Sequence, residues 1–227
     1  MWSHMRNSSS YSCHADSMRR IQPPAPVYRG PAAHTSTGDN KPIYRIVIHS
    51  TVSPCAPGWA RKIAAYFRSK SSGGSAHYVV DPLEEVQVVY DGVIAWHAPP
   101  NLHSIGIEMC DTPGPIPGDK PGSAAWKALK RSWRWRLPAQ RQMLRRTAKL
   151  TAQLALAYDV PLRWCNARQL RQGMHGITSH ANVSLAWRQS THWDPGFWPR
   201  RRFMKMVRAE AEKLQVVTAM KRHPSSR

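Results

Sequence analysis

Short runs of apolar residues along the chain predict the strands of a sheet. Residues 43–49, Ile-Tyr-Arg-Ile-Val-Ile-His, are rich in β-branched and aromatic side chains and are typical of a buried strand. Two similar runs follow at 77–81 and 86–90, and a fourth strand is predicted at 104–109. The first half of the chain is therefore predicted to consist mainly of strands.

The predicted strand at 104–109 has two different faces. Its apolar residues alternate with Ser104, Gly106 and Glu108, and successive side chains of a strand point to opposite faces. The carboxylate of Glu108 therefore lies on the polar face of a strand that otherwise builds the core, and Gly106 leaves room beside it. This placement favours a chemical role for Glu108 over that of a solvated surface acid.

Helical periodicity predicts three helices. Residues 57–69 have a proline in the first turn and apolar residues on one face. From 139 to 158 the apolar residues keep helical spacing throughout, and a last helix is predicted from about 200 to about 217. Together with the strands, these helices predict a single α/β domain in which helices flank a mixed central β-sheet.

The segments around this domain lack a hydrophobic period. Residues 1–38 are rich in Ser, Pro and His and predict a flexible leader, without the apolar core of a secretory signal peptide. The domain is expected over 39–210, followed by a basic C-terminal tail over 211–227. Within the domain, 111–138 predict a surface excursion that is rich in Pro and Gly and then basic with tryptophans. No stretch approaches the ~20 continuous apolar residues of a membrane helix, so no membrane insertion is expected.

The charge of the chain narrows the classes of partner. The 227 residues include 33 Lys and Arg and 13 acids, a formal net charge of +20, which predicts attraction to a polyanion. Basic residues between 120 and 149 are interleaved with Trp126, Trp133 and Trp135, and aromatic faces stack on sugars or bases. This surface is expected to bind anionic envelope polymers. No finger spacing or RNA-recognition signature accompanies the charge, so no specific nucleic acid is expected as a partner.

Three polar residues at defined positions could bind a metal ion. His49 ends the first buried strand, at one rim of the predicted sheet, and His180 follows the short apolar step 176–178. Asp194 lies in His-Trp-Asp-Pro-Gly, where proline and glycine force a tight turn that can aim the carboxylate. Two imidazoles and one carboxylate are a typical ligand set for one catalytic Zn²⁺ ion, which lowers the pKa of water towards ~7. The spacing of the three residues is compatible with many folds, so it does not identify the site unaided.

Five motifs accompany these residues in a fixed order. They are Ile46-Val47-Ile48-His49-Ser50-Thr51, Ser75-Ala76-His77-Tyr78-Val79-Val80-Asp81, Ala95-Trp96-His97-Ala98, Asn101 with Ser104-Ile105-Gly106-Ile107-Glu108, and Ile177-Thr178-Ser179-His180 followed by His192-Trp193-Asp194-Pro195-Gly196. In this order they resemble the type 2 N-acetylmuramoyl-L-alanine amidases, relatives of the peptidoglycan recognition proteins and of phage amidase endolysins. The motifs span about residues 43–207. The tail 197–204 is most similar to endolysins of phages that infect actinobacteria.

The resemblance implies the cofactor and the chemistry of this family. It implies a hydrolase that cuts the amide between N-acetylmuramic acid and L-alanine in peptidoglycan, with one Zn²⁺ ion held by His49, His180 and Asp194. Glu108 matches the catalytic carboxylate, which takes a proton from the attacking water and passes it to the leaving amine. His192 lies where many members have a lysine that stabilises the oxyanion, and a histidine can donate the same hydrogen bond.

Other residues of the motifs are expected to bind substrate. Trp96, His97 and Asn101 are expected to line the glycan groove, and simple packing is an equal alternative for Trp96 and His97. Some phage members have a tyrosine just before the His77 position. Here only Tyr78 could take its place, on the strand face opposite His77. His77 itself is expected to be a packed strand residue and not a ligand.

The sequence is also compatible with a second function and a second biological setting. A peptidoglycan recognition protein that binds the muropeptide without cutting it is the alternative function, but such proteins typically lack one zinc ligand. The missing signal peptide fits a phage endolysin that accumulates in the host cytoplasm and reaches the wall after membrane permeabilisation. A bacterial recycling amidase would also lack a signal, and the actinophage-like tail favours the phage. The protein is expected to act on peptidoglycan as a monomer.

Overall fold

A six-stranded β-sheet forms the centre of the protein. The computed structural model describes residues 27–28, 30–112 and 132–222. Within these residues the strands are β1 Val27–Tyr28, β2 Thr35–Ser36, β3 Arg45–Ser50, β4 Tyr78–Val80, β5 Glu85–Gln87, β6 Ile94–Ala95, β7 Ser104–Met109 and β8 Gly176–Ser179. The large sheet has the order β1-β5-β4-β7-β3-β8, and β2 and β6 pair as a small second sheet.

The half of the sheet around β3 is parallel. β3 lies between β7 and β8 and is parallel to both, and β4 is parallel to β7. The sheet is mixed, as predicted, because β5 runs antiparallel to β4. The carboxyl ends of parallel strands meet at the same edge of a sheet. Side chains at the ends of β3, β7 and β8 are therefore brought close together.

Helices cover both faces of the sheet. They are α1 Trp59–Phe67, α2 Pro138–Ala157, α3 Ala167–Arg171, α4 His180–Trp187 and α5 Arg200–Arg222, with 3₁₀ helices at Lys70–Ser72 and Ser132–Arg136. Residues of α1, α2 and α5 belong to the main core, whereas α3 and α4 contribute to a smaller apolar cluster on the opposite face. This arrangement confirms the predicted α/β domain with a mixed central sheet flanked by helices. Over the described residues, no helix is both long and apolar enough to cross a membrane.

Strand alternation gives β7 a core face and a polar face, as predicted. Its three apolar residues belong to the main core, so Ser104, Gly106 and Glu108 lie on the opposite face. β7 runs in register with β3, and Glu108 is paired with His49 near the carboxyl ends of the two strands. Residues paired in register point to the same side of a sheet. The side chains of His49 and Glu108 are therefore neighbours.

The sheet begins earlier, and the last helix ends later, than the sequence predicted. β1 and β2 lie inside the predicted 1–38 leader and pair with β5 and β6. The prediction of a flexible leader is wrong for these residues because two-residue strands are held by backbone hydrogen bonds and leave no hydrophobic period. α5 continues into the predicted 211–227 tail because Ala211 still packs in the core. The predictions for residues 1–26, 29, 113–131 and 223–227 lie outside the described residues.

The predicted basic surface excursion is partly contradicted. Trp126 and the side chain of Trp133 lie outside the described residues. Trp135, however, is buried against the main core, and the adjacent Arg134 pairs with Asp111, Nη2 to Oδ2 2.8 Å. A ligand-binding role for Trp135 is therefore wrong, because a buried ring cannot stack on a ligand. The charge of this end of the segment is partly neutralised within the protein.

A buried carboxylate ties β4 to the end of α2. Asp91 accepts hydrogen bonds from the hydroxyls of Tyr78 and Tyr158, both at 2.7 Å, and from the amide of Gln87 at 3.1 Å. Tyr78 is fully buried and is in register with Ile107 on the core face. Burial, together with Asp91, raises the pKa of Tyr78. Tyr78 is therefore a neutral hydrogen-bond donor inside the core.

We expect Tyr78→Phe to lower the free energy of unfolding by about 1.5–3 kcal/mol, because it removes a hydrogen bond to a buried carboxylate. Equilibrium denaturation by urea measures this change. Tyr66→Phe is the matched control: its hydroxyl is exposed and, among the described residues, donates only weakly to backbone carbonyls at 3.4 Å, so a change below about 0.5 kcal/mol is expected. Equal effects of the two substitutions would contradict the prediction.

His77 fastens β4 to its neighbours, as expected for a packed strand residue. It is fully buried; its Nδ1 accepts from the amide of Gly106 at 3.1 Å, and its Nε2 lies 3.0 Å from the carbonyl of Val93. Burial lowers the pKa of His77 to about 4. The ring is therefore neutral in the folded protein at pH 7.

The buried His77 should make the metal-free protein acid-sensitive. In the unfolded chain a histidine titrates near pH ~6.5, whereas the pKa of His77 in the folded protein is about 4. The unfolded state therefore binds more protons between these values, and the free energy of unfolding should fall as the pH drops from about 6.5 to about 4. Denaturation at pH 7 and pH 4.5 should show a smaller loss for His77→Gln than for the wild type. Identical losses would argue against this contribution.

Candidate metal centre

Three donor atoms converge at the carboxyl end of β3. His49 is the second-to-last residue of this strand, His180 is the first residue of α4, and Asp194 lies in the turn that precedes α5. The Nδ1 atom of His49 is 3.2 Å from Oδ2 of Asp194, and Nδ1 of His180 is 3.1 Å from Oδ1. Ligand atoms of all three residues lie within 4.8 Å of one another. The structure thus brings together the three predicted ligands at one rim of the sheet.

Backbone hydrogen bonds hold His180 and Asp194 in place. The side chain of Ser179 caps α4 by accepting a backbone amide of its first turn, which fixes His180 at the start of the helix. The amide of Ala181 donates to the carbonyl of Asp194 at 3.0 Å. The amide of Ser50 donates to the Asp194 carboxylate at 3.3 Å. The turn that carries Asp194 is therefore attached both to α4 and to the end of β3.

A hydrogen-bond chain determines the tautomer of His49. The chain ends at the backbone carbonyl of Asn101, which can only accept, so the Ser104 hydroxyl donates its one proton there over 2.6 Å. The Ser104 oxygen must then accept from Nε2 of His97, 3.1 Å away. Burial first, and then the nearby His49, lower the pKa of His97 well below its usual range, so its ring is neutral. Nδ1 of His97 therefore accepts from Nε2 of His49, 3.1 Å away.

This tautomer leaves a lone pair on the ligand atom of His49. Nδ1 has no proton and faces the Asp194 carboxylate across 3.2 Å, and burial lowers the pKa of His49, which disfavours a second proton. Two lone pairs at this distance repel each other unless a cation lies between them. Ligands at ~2.0–2.2 Å from a tetrahedral ion are about 3.3–3.6 Å apart, close to the observed separation. The residues therefore fit a metal ion in both chemistry and spacing.

Glu108 lies beside the ligands without being tied to them. Its Oε1 is 3.8 Å from Nδ1 of His49, and its Oε2 is buried with no hydrogen-bond partner in the described part of the chain. Burial, followed by the negative charge of Asp194, raises the pKa of Glu108 well above its usual range. A carboxyl group that readily holds a proton at the edge of the site is suited to general acid–base chemistry.

A cleft of about 770 Å³ opens in front of these residues, and Trp96 and His192 lie on its walls. Trp96 is 44% exposed, and its indole N–H donates to Ser36 at 2.6 Å, which holds the ring at the rim. The side chain of His192 is 69% exposed, and its ring stacks on that of His180 with 4.7 Å between centroids. The substrate-binding role of Trp96 and the oxyanion role of His192 stay predictions, with both side chains in reach of a ligand in the cleft.

The other predicted substrate-binding residues are used inside the protein. Tyr78 contacts the core and Asp91, so the prediction that it binds substrate is wrong: the alternation of β4 turns it away from the cleft. The side-chain oxygen of Asn101 accepts hydrogen bonds from the backbone amides of His97 at 3.0 Å and Ala98 at 2.8 Å, which fixes the conformation of the loop between them. His97 and Asn101 also line the cleft, so their substrate-binding role stays a prediction, although the ring nitrogens of His97 and the amide oxygen of Asn101 already have partners within the protein.

Gly106 has a different purpose from the one that the sequence suggested. A Cβ atom at this position would lie 2.6 Å from Cγ of His97, so the glycine makes room for the imidazole ring and not for Glu108. The role of Ser104 was missed as well. The signal available in the sequence was the alternation of 104–109, which puts both residues on the face of Glu108.

Ser190 is a further residue that sequence reasoning missed. Its hydroxyl lies 3.2 Å from Nε2 of His180 and 2.6 Å from the hydroxyl of Ser184. The second histidine ligand thus also has a partner on its outer nitrogen, an arrangement that orients metal-bound histidines. Nothing in the sequence marks this loop serine, because its position depends on the path of the chain between α4 and α5.

Comparison with known proteins agrees with this geometry. A sequence model of the family Amidase_2, N-acetylmuramoyl-L-alanine amidase, matches residues 39–197. The chain belongs to this family. No curated protein sequence matches the chain closely enough to count as a relative.

A solved structure shows the same fold. The crystal structure of the Staphylococcus aureus hydrolase AmiA in complex with its ligand has a TM-score of 0.58 at 14% identity, and the match covers 84% of each chain. The endolysin LysCS, an N-acetylmuramoyl-L-alanine amidase from Clostridium intestinale, has a TM-score of 0.47 at 14% identity, covering 82% of this chain and 99% of that one. The likeness to AmiA extends the family assignment to the three-dimensional fold.

We expect His97→Phe to lower the affinity for Zn²⁺ about 10- to 100-fold, because the outer nitrogen of His49 loses its acceptor. His97→Asn should retain more affinity than the phenylalanine variant, since its amide oxygen can accept the same proton. Competition with a chromophoric chelator measures the affinity, and denaturation of the metal-free proteins checks their folding.

His34→Phe provides the control for these variants. His34 is half-buried, contacts the carbonyl of Lys70 and stands outside the ligand cluster, so its replacement should leave the Zn²⁺ affinity unchanged. The positioning role of His97 is refuted if a folded phenylalanine variant binds Zn²⁺ as tightly as the wild type.

Proposed function

We propose that the protein is a zinc-dependent amidase that hydrolyses the bond between N-acetylmuramic acid and L-alanine in peptidoglycan. The observation that carries this proposal is the convergence of His49, His180 and Asp194 beside Glu108, whose Oε2 is buried, in a chain of the amidase family. The second candidate is a peptidoglycan recognition protein that binds without cutting. A complete donor set with an adjacent proton carrier favours hydrolysis over binding alone.

Zinc suits the donor set. Two imidazole nitrogens and one carboxylate oxygen are typical ligands of a catalytic Zn²⁺ ion. When bound, the ion would lower the pKa of water and polarise the amide carbonyl. The protein keeps Nδ1 of His49 unprotonated through His97 and Ser104. It also holds the Asp194 carboxylate close to Nδ1 of both histidines.

Glu108 moves the proton in the proposed reaction. Its carboxylate accepts a proton from the attacking water and donates it to the alanine nitrogen as the carbon–nitrogen bond breaks. The raised pKa favours holding the proton between these two events. Because Oε2 has no partner among the described residues, no hydrogen bond of the protein has to break for this exchange.

His192 and Trp96 are proposed to contact the substrate. His192 would donate a hydrogen bond to the carbonyl oxygen as it becomes negative, and stacking on His180 keeps its ring in position. Trp96 exposes nearly half of its surface at the cleft rim, which suits stacking on a sugar ring. The stacked ring of His192 also shields the ligand His180 from one side.

A phage endolysin is the biological role that we propose. The similarity of residues 197–204 to endolysins of actinobacterial phages supports it. In this role the protein accumulates in the host cytoplasm as a monomer and reaches the wall after the membrane is permeabilised. The net charge of +20 supports attraction to anionic envelope polymers as well as to peptidoglycan.

Dye release from labelled, purified peptidoglycan tests the proposed reaction. We expect release by the wild type, loss of release with a chelator and recovery when Zn²⁺ is added back. Glu108→Gln keeps the shape of the side chain but cannot carry the proton, so kcat should fall about 10²- to 10⁴-fold while Zn²⁺ still binds. Glu84→Gln, which removes an acid paired with Arg61 at the surface, is the control and should leave kcat unchanged.

Sequencing of the fragments identifies the bond. New N-terminal alanine is expected if the amide to N-acetylmuramic acid is cut. Tight wall binding without release by the zinc-loaded wild type would exclude the amidase and leave the recognition protein. Release that persists in a folded Glu108→Gln variant would exclude Glu108 as the proton carrier.

A further inference from the structure

A second groove lies next to the cleft, between α4 and the beginning of α5. Its volume is about 1150 Å³. Its aromatic walls are formed by Trp164, Trp193, Phe197 and Trp198. Phe197 is 42% exposed, and the rings of Trp164 and Trp198 contact each other at 5.8 Å between centroids. We call this feature the aromatic groove; none of its aromatic residues has a role in the reaction proposed above.

The aromatic groove carries only positive charge. Arg188, Arg200, Arg201 and Arg202 line it, and no aspartate or glutamate does so within the described residues. The guanidinium group of Arg200 lies over the ring of Trp164 at 5.4 Å. None of the four arginines has a carboxylate within salt-bridge distance in the part of the chain that the structure describes. Guanidinium groups bind carboxylates in a planar, bidentate manner, so the groove is complementary to an anionic ligand.

The aromatic groove is continuous with the catalytic cleft. Ser190 and His192 line both. A polymer whose scissile bond lies at the metal centre would therefore pass His192 and enter the groove. Peptidoglycan is such a polymer: its sugar rings offer faces that stack on aromatic side chains, and the carboxylates of its stem peptides match the arginines.

We propose that the aromatic groove binds the neighbouring disaccharide–peptide unit of the same peptidoglycan strand. This inference rests on the proposed amidase function and adds a second substrate subsite to it. Its consequence is a preference for polymeric substrate: a single disaccharide–peptide fills the cleft alone, whereas a longer strand also contacts Arg201 and Arg202.

The double variant Arg201→Gln/Arg202→Gln tests the second subsite. Both side chains are exposed, and removing positive charge from the first turn of a helix does not weaken it. We expect a rise in KM of about 5- to 20-fold on solubilised polymeric peptidoglycan, as for the loss of two partly exposed ion pairs. On a monomeric disaccharide–peptide, kcat and KM should not change.

The double variant Arg168→Gln/Lys205→Gln is the matched control. It removes the same charge from exposed positions that line neither the cleft nor the aromatic groove, and its KM on both substrates should equal that of the wild type. An equal rise in KM for both double variants would reduce the effect to net charge and overturn the inference.

Three further results have distinct meanings. Unchanged KM of the groove variant on the polymer, or an equal rise on polymer and monomer, overturns the second subsite while the amidase function stands. Loss of salt-dependent DNA binding with unchanged hydrolysis assigns the groove to nucleic acid and also overturns it. Failure of the wild type to cut either substrate contradicts the proposed function itself, which is a different outcome from failure of the subsite.

Discussion

The unprotonated nitrogen of His49, facing the carboxylate of Asp194 across 3.2 Å, is the constraint around which the site is organised. Its lone pair is determined by the backbone carbonyl of Asn101, which can only accept a hydrogen bond. Ser104 therefore donates to this carbonyl and accepts from His97, and His97 in turn accepts from the other nitrogen of His49. Facing lone pairs are unfavourable without a cation between them. Metal binding therefore relieves a repulsion that the fold imposes, and it should add to the stability of the folded state.

β7 provides this arrangement with three successive positions on one face. Ser104 accepts a hydrogen bond from His97, Gly106 leaves space for the imidazole ring of His97, and Glu108 lies next to His49. These positions repeat every second residue, so all of them depend on the same register with β3. A slip of one residue would turn them into the core. The burial of the apolar face of β7 against the helices therefore fixes the register that places Ser104, Gly106 and Glu108 at the site.

The sequence predicted the positions of side chains that depend on the alternation of one strand. It did not predict contacts between segments that are distant along the chain. Alternation within 104–109 identified the face of Glu108, and the order of the motifs identified the three residues of the candidate metal site, which their spacing could not. Tyr78 follows His77 directly, yet the direction of its side chain is set by its register with β7 and by Asp91 and Tyr158. The series of hydrogen bonds through His97 forms only when the loop that carries His97 folds back onto β7. Such long-range contacts leave no local pattern.

The two acids of the site show how the surroundings divide similar groups into different roles. Burial alone would raise the pKa of both carboxylates. For Asp194, the contact with His180 is the first of those that outweigh burial and hold the pKa below its usual range. Oε2 of Glu108 has no hydrogen-bond partner among the described residues, and the charge of Asp194 adds to the effect of burial on the pKa of Glu108. Opposite shifts in neighbouring carboxyl groups are typical of a ligand paired with an acid–base group. The division depends on geometry, since exchanging their hydrogen-bond partners would exchange their roles.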